Sequence, residues 1–264
     1  MLQSKHRQQV SIPEGRFACL TYHHFGDQTD TYSVTVHQLR MQLAFLQDAG
    51  YLVEGFEQLE SRLISGHSIP SRYAVVTIDD GRESTMAAAE LLSKYGFNAT
   101  FFLTRDRCLV KPGFIRAPQI QELRGAGFSV GTHGTTHKIM TRMSTDACVN
   151  ELRESKEWLE DVLSERVRYM SAPGGYVNSH VLSLAYSHGY TLVGTCREQM
   201  NSIRMAIPGI VSRVNVRRSF SDATFRDLVQ GRGIFYAGRQ IRSAALWIPK
   251  ELFAWGYSRG YIGR

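Results

Sequence analysis

No two of the four cysteines stand in a Cys-x-x-Cys pair: Cys19, Cys108, Cys148 and Cys196 are scattered along 264 residues. That spacing argues against a zinc ribbon and against a disulfide-built scaffold, and it predicts reduced thiols. No apolar run approaches the length of a membrane span. The opening stretch, MLQSKHRQQVSIPEG, is polar and basic and lacks the apolar core of a secretory signal, so the chain as given reads as cytoplasmic. Zinc-finger spacing, an aromatic RNP-type motif and a dense Lys/Arg run are all missing, which removes the nucleic-acid modules. There is also no Pro/Gly/Ser-rich linker and no internal repeat, which favours one large domain.

What is present has the composition of a globular protein, 43% hydrophobic and 21% charged. A net charge of +7 predicts contact with something anionic, such as a phospholipid surface, a sugar phosphate or nucleic acid, and charge alone does not choose among them. Strand-like runs alternate with helical ones. Strands are expected at 17–22, 51–53, 73–78, 99–103, 128–132, 168–171, 191–194 and 210–216. Between and after them, helices are expected near 36–49, 56–64, 83–95, 118–126, 144–163, 181–187 and 221–229. About eight strands separated by helices indicate an α/β barrel-like domain over residues 16–237. An arm precedes it at 1–15, and a basic, aromatic-rich segment follows at 238–264. That last segment, with Trp247, Phe253, Trp255 and Tyr257, reads either as a peripheral contact with the inner membrane face or as a packing helix and arm.

Three motifs fall at strand ends, where a parallel barrel places its chemistry. The first is YAVVTIDDG, residues 73–81. Adjacent acids raise each other's pKa unless a cation or proton separates them, so Asp79 and Asp80 read either as a metal ligand beside a proton carrier or as a solvated turn. The second is THGTTH, residues 132–137. His133 and His137 lie four apart and would share a face if the segment turned helically, so both imidazoles could converge on one ion. One carboxylate and two imidazoles leave open positions, an arrangement suited to hydrolysis. The third is SAPGGY, residues 171–176. Here an N–H of Gly174 or Gly175 could meet a developing oxyanion, with Pro173, Gly175 and Tyr176 beside the substrate, although Pro-Gly-Gly is also an ordinary turn.

T-I-D-D-G, T-H-G-T-T-H and the Pro-Gly turn after the next strand together resemble the polysaccharide deacetylase family, carbohydrate esterase family four. The resemblance spans about Phe17 to Val216. It implies a distorted (β/α)7-8 barrel and removal of acetyl groups from N-acetylated sugars with one divalent metal, usually zinc. By matching position, Asp79 resembles the general base, Asp80 a metal ligand, and His133 and His137 the other two. LTYHHFGD resembles the Tyr-His motif of the branch that acts on exopolysaccharide, which puts His23 near the site.

Two departures are specific. The family's third motif carries an Arg two residues before the Pro, where this chain has Ser171, and a late Leu-x-x-His is not found after Val193. His180 and His188 fall in an expected surface helix. His23 or His24 is therefore the candidate acid, and Arg213 is either the replacement for the missing Arg, set among the substrate-binding candidates, or a surface charge. The expected substrate is an N-acetylated glycan or a lipid- or nucleotide-linked sugar. The alternatives are a non-sugar amidohydrolase and a catalytically weakened glycan-binding relative.

Overall fold

A computed structural model describes residues 15–27, 30–206, 209–233 and 235–236. The expected arm up to residue 14 and the basic segment at 238–264 lie outside the described residues. The chain opens with β1 (Arg16–Tyr22), β2 (His24–Phe25) and β3 (Ser33–Val34), followed by α1 (Val36–Asp48), β4 (Leu52–Glu54) and α2 (Phe56–Ser65). Next come β5 (Tyr73–Ile78), α3 (Thr85–Lys94), β6 (Thr100–Leu103), α4 (Arg105–Val110), α5 (Ala117–Gly125) and β7 (Ser129–Thr132). Then follow α6 (Thr145–Leu163), β8 (Tyr169–Ser171), α7 (Ser179–Ser187), β9 (Leu192–Thr195) and β10 (Asn201–Ser202). The last described elements are α8 (Ile203–Ala206), β11 (Ile210–Ser212), β12 (Val214–Asn215) and α9 (Asp222–Val229).

The main sheet runs parallel from β1 through β5, β6, β7, β8 and β9 to β11, and β12 pairs back onto β1. Thus β11 lies on β9 while β12 lies on β1, and the single residue between them, Arg213, marks the change of partner. This is the expected distorted (β/α) barrel. The strand expected over 210–216 is two short strands, because one segment closes the ring by bridging two neighbours that diverge.

Side-chain alternation decides what faces the barrel interior. Phe17 and Cys19 of β1 pack with Tyr73 and Val75 of β5, and with Phe102, Tyr169, Leu192 and Val211. Phe56 and Leu59 of α2 join this cluster and plug one end. The alternate residues Ala18, Leu20, Tyr22, Ala74, Val76 and Ile78 belong to the larger core that the outer helices cover. Continuing the inward period to the strand ends gives His23, Asp79, His133 and Ser171. The site is thus an extension of the interior register.

Local signals fix the helices. Thr35 and Gln38 form a reciprocal capping box on α1, Ser144 Oγ accepts from the Ala147 N–H at the start of α6, and Asn178 caps α7. The short α4, the β2–β3 pair, β10 and α8 have too few residues to show a period in sequence. Among the described residues, no helix is long and apolar enough to cross a membrane.

Candidate active site

Asp79 is 1% exposed, and both of its carboxylate oxygens are occupied. Arg213 Nη1 donates to Oδ1 at 2.7 Å, Arg213 Nη2 donates to Oδ2 at 2.9 Å, and Ser171 Oγ donates to Oδ2 at 2.9 Å. Arg213 Nη2 also reaches Ser171 Oγ at 2.5 Å, and Nη1 reaches Thr77 Oγ1 at 3.2 Å. Burial alone would raise the Asp79 pKa, but the Arg213 guanidinium and the His133 imidazole outweigh it and hold the carboxyl below its ordinary value. Gly194 makes room for this pair, since a Cβ there would lie 2.7 Å from Arg213 Nε.

Asp80 leaves the strand register through a left-handed backbone, φ 78°, and its carboxylate stays on the same rim as that of Asp79, an oxygen of each lying 3.8 Å from His133 Nε2. His137 Nε2 lies 3.0 Å from Asp80 Oδ1, and His133 Nε2 lies 3.8 Å from the same oxygen. Ligand atoms of Asp80, His133 and His137 all fall within 4.8 Å of one another. His133 Nδ1 donates to the Ser171 carbonyl at 2.8 Å, which fixes the tautomer and leaves Nε2 toward the acids. Burial pushes the His133 pKa down to about 4, against the pull of Asp79 and Asp80. Burial would raise Asp80, but the His137 hydrogen bond and the nearby cations hold it well below the usual carboxylate range. A carboxylate and two imidazoles, converging at this spacing, fit a divalent ion of zinc type.

The two histidines do not converge by helical spacing. Residues 133–137 form an irregular loop, and His137 has φ 64°. The device that folds the loop is Glu151 of α6, a buried carboxylate absent from the sequence reading. It accepts from the Thr135 N–H at 2.8 Å and the Thr136 N–H at 3.0 Å, and it also bonds the Thr136 hydroxyl. A Cβ at Gly134 would meet Glu151 Oε2 at 2.9 Å. Glu151 sits within the apolar stripe Cys148, Leu152, Ser155 and Leu159, and a carboxylate inside such a stripe was the available signal.

His23 and His24 part company. His24 Nε2 donates to Asp30 at 2.6 Å, an exposed carboxylate. His23 stacks on Tyr32 with ring centroids 4.9 Å apart, and its buried Nδ1 has no hydrogen-bond partner. Burial lowers the His23 pKa, and the charges of Asp79 and Asp80 work against that lowering, so His23 is the histidine that feels the acid pair.

Arg213 is 0% exposed, so it is neither a surface charge nor a side chain free to touch substrate; its guanidinium is committed to Asp79, Ser171 and Thr77. Gly175 N–H donates to the Ala172 carbonyl at 2.7 Å, which leaves Gly174, exposed with φ 67°, as the oxyanion candidate of the two glycines. Pro173 is buried, and Tyr176 is half-buried beside Gly174.

The fold and site define a (β/α) barrel whose rim brings a positioned carboxylate next to a candidate three-ligand metal centre, the equipment of a hydrolase. A family model described as Polysaccharide deacetylase matches residues 67–193, a span containing Asp79, Asp80, His133, His137 and the Pro-Gly-Gly turn. A peptidoglycan-N-acetylglucosamine deacetylase of Bacillus cereus is 28% identical over 142 residues, covering 53% of this chain; the chain spans 63% of that relative's length. In three dimensions the chain is similar to the Streptococcus pyogenes deacetylase PplD, solved in complex with acetate. That match has a TM-score of 0.73 and 22% identity, and it covers 82% of this chain and 97% of the other. A polysaccharide deacetylase from Bacillus cereus gives a TM-score of 0.70 at 23% identity, covering 81% and 69%. The chain is thus similar in sequence to polysaccharide deacetylases over about half of its length, and its barrel is that of the solved deacetylases.

Proposed function

We propose that this protein hydrolyses the N-acetyl group of an amino sugar in a glycan or in a lipid- or nucleotide-linked glycan precursor, releasing acetate. The observation that carries the reading is the placement of Asp79: buried, ionised and held at three points, against the triad Asp80, His133 and His137. A zinc-type ion held by that triad would supply Lewis-acid polarisation of the acetamide carbonyl and an activated water.

The chain's own residues account for the remaining steps. Asp79 takes the proton of the attacking water, and its low pKa keeps it ionised and ready at neutral pH. Arg213 and Ser171 prevent the carboxylate from rotating, so its proton-accepting geometry is set before substrate arrives. The Ser171 carbonyl holds His133, so one residue orients both the base and a metal ligand. The Gly174 N–H faces the carbonyl oxygen as charge develops on it. His23 delivers a proton to the departing amine, favoured over His24 because it feels the charges of Asp79 and Asp80 while His24 is paired with Asp30.

Acetate release from N-acetylglucosamine oligomers by zinc-loaded protein tests the reading. Asp79→Asn is expected to abolish turnover while retaining zinc. A protein that binds no metal, or an Asp80→Ala variant with undiminished turnover, overturns the assignment.

A further inference from the structure

Beside Asp80 the rim carries a cluster of cations that the proposed hydrolysis does not use. Arg82 follows the acid pair by two residues, Arg107 belongs to α4, and Lys111 ends that helix. All three gather about the ring of Phe114. Arg82 Cζ lies 5.2 Å from its centroid, Arg107 Cζ 5.7 Å and Lys111 Nζ 5.6 Å. Phe114 is buried and bridged through its backbone to Arg82, so the ring is a fixed post.

Three like charges around one ring repel each other, and only one of them is compensated. Arg107 Nη1 donates to Asp80 Oδ1 at 2.6 Å. Among the described residues, Arg82 and Lys111 take part in no ion pair, and Arg82 Nε is buried without a hydrogen-bond acceptor. A buried N–H with no acceptor is costly unless something else supplies one. The neighbouring acid Asp106 is paired with Arg105, and Glu83 is exposed. The cluster is also rigid from behind: the Arg116 guanidinium donates to the carbonyls of Arg107, Cys108 and Lys111, tying the end of α4 to the start of α5.

We infer that Arg82, Arg107 and Lys111 form an anion subsite that holds a phosphate or diphosphate ester on the N-acetylated sugar being deacetylated. Two uncompensated cations match the charge of about two on a phosphate monoester or diphosphate, whereas a single carboxylate carries one. The position fits as well, because the Arg107–Asp80 contact puts the subsite directly against the candidate metal centre. The inference rests on the deacetylase reading and narrows its substrate to phosphorylated precursors over finished neutral polymer.

The test compares kcat/KM for acetate release from neutral N-acetylglucosamine trisaccharide, N-acetylglucosamine 1-phosphate, UDP-N-acetylglucosamine and polyprenyl-diphosphate N-acetylglucosamine in detergent. The wild type is expected to favour the phosphorylated sugars over the trisaccharide by at least about tenfold, and Lys111→Gln and Arg82→Gln are each expected to reduce that ratio by about tenfold. The larger ratio between the nucleotide and polyprenyl substrates identifies the source of the phosphate. A wild type that prefers the trisaccharide, or a ratio unmoved in both variants, overturns the subsite. Lys111 is exposed, so its variant keeps the test valid if Arg82→Gln fails to fold. If no substrate releases acetate, the deacetylase reading has failed, and the subsite is judged by calorimetry with inorganic pyrophosphate. Binding weakened about tenfold by Lys111→Gln supports it; absent or unchanged binding overturns it.

Discussion

Arg213 and Asp79 meet inside the barrel through two N–H···O bonds of 2.7 and 2.9 Å, between residues 134 positions apart in the chain. The pair fills the place where the family resemblance calls for an Arg at position 171. The guanidinium comes instead from the junction of β11 and β12, and Ser171 lies between the two partners, donating to Asp79 and accepting from Arg213.

Removing the guanidinium should therefore be felt in both stability and chemistry. Arg213→Ala leaves a buried carboxylate unpaired and is expected to cost about 3–5 kcal/mol, read in denaturant unfolding. Arg213→Lys keeps the charge but loses the fork, so the Asp79 pKa should rise. The acid limb of the kcat/KM profile should then move to higher pH, and an unmoved limb would rule out Arg213 as the residue that positions the base.

The origin of the guanidinium can be tested by exchange. Ser171→Arg alone places a second cation against Arg213 in a filled interior and is expected to destabilise the fold. Ser171→Arg combined with Arg213→Ser should recover part of the melting temperature and of the acetate release. A double variant no better than the worse single one would show that the two positions are not interchangeable sources of the same charge.

Glu151 acts on the metal centre through the loop it folds. Glu151→Gln keeps the volume but loses the charge-assisted acceptor for the Thr135 and Thr136 N–H groups. Zinc affinity measured by chelator competition should fall about tenfold, with far-UV circular dichroism retained. Equal affinity in wild type and variant would reduce Glu151 to a packing role.

Acidification provides a separate check on Asp79. Its folded pKa lies below the ordinary 3.8, so its contribution to stability is complete above that value and is lost as pH falls toward the lower folded pKa. Chelator-treated protein should therefore lose stability progressively below about pH 4. Asp79→Asn, less stable throughout, has no proton to gain there and should show a shallower slope. Parallel slopes would mean that folding does not lower the Asp79 pKa.

Much of the site was legible in the sequence, because strand alternation and strand ends are local properties. The run from Tyr73 to Ile78 fixes which face Asp79 joins, and the TIDDG and HGTTH spacings announce one carboxylate and two imidazoles at a common rim. The capping residues Ser144 and Asn178, and the periods of α1 and α6, are likewise short-range. The tertiary structure decided what depends on closure. Arg213 acquires its partner only because β12 returns to β1, Ser171 replaces a longer side chain only because that guanidinium already fills the space, and the histidines converge through Glu151, a residue of the following helix. Asp80 and His137 take left-handed backbones, held there by contacts distant in sequence. Side-chain type and period are written in neighbouring residues; which charge neutralises which is a matter of where the barrel shuts.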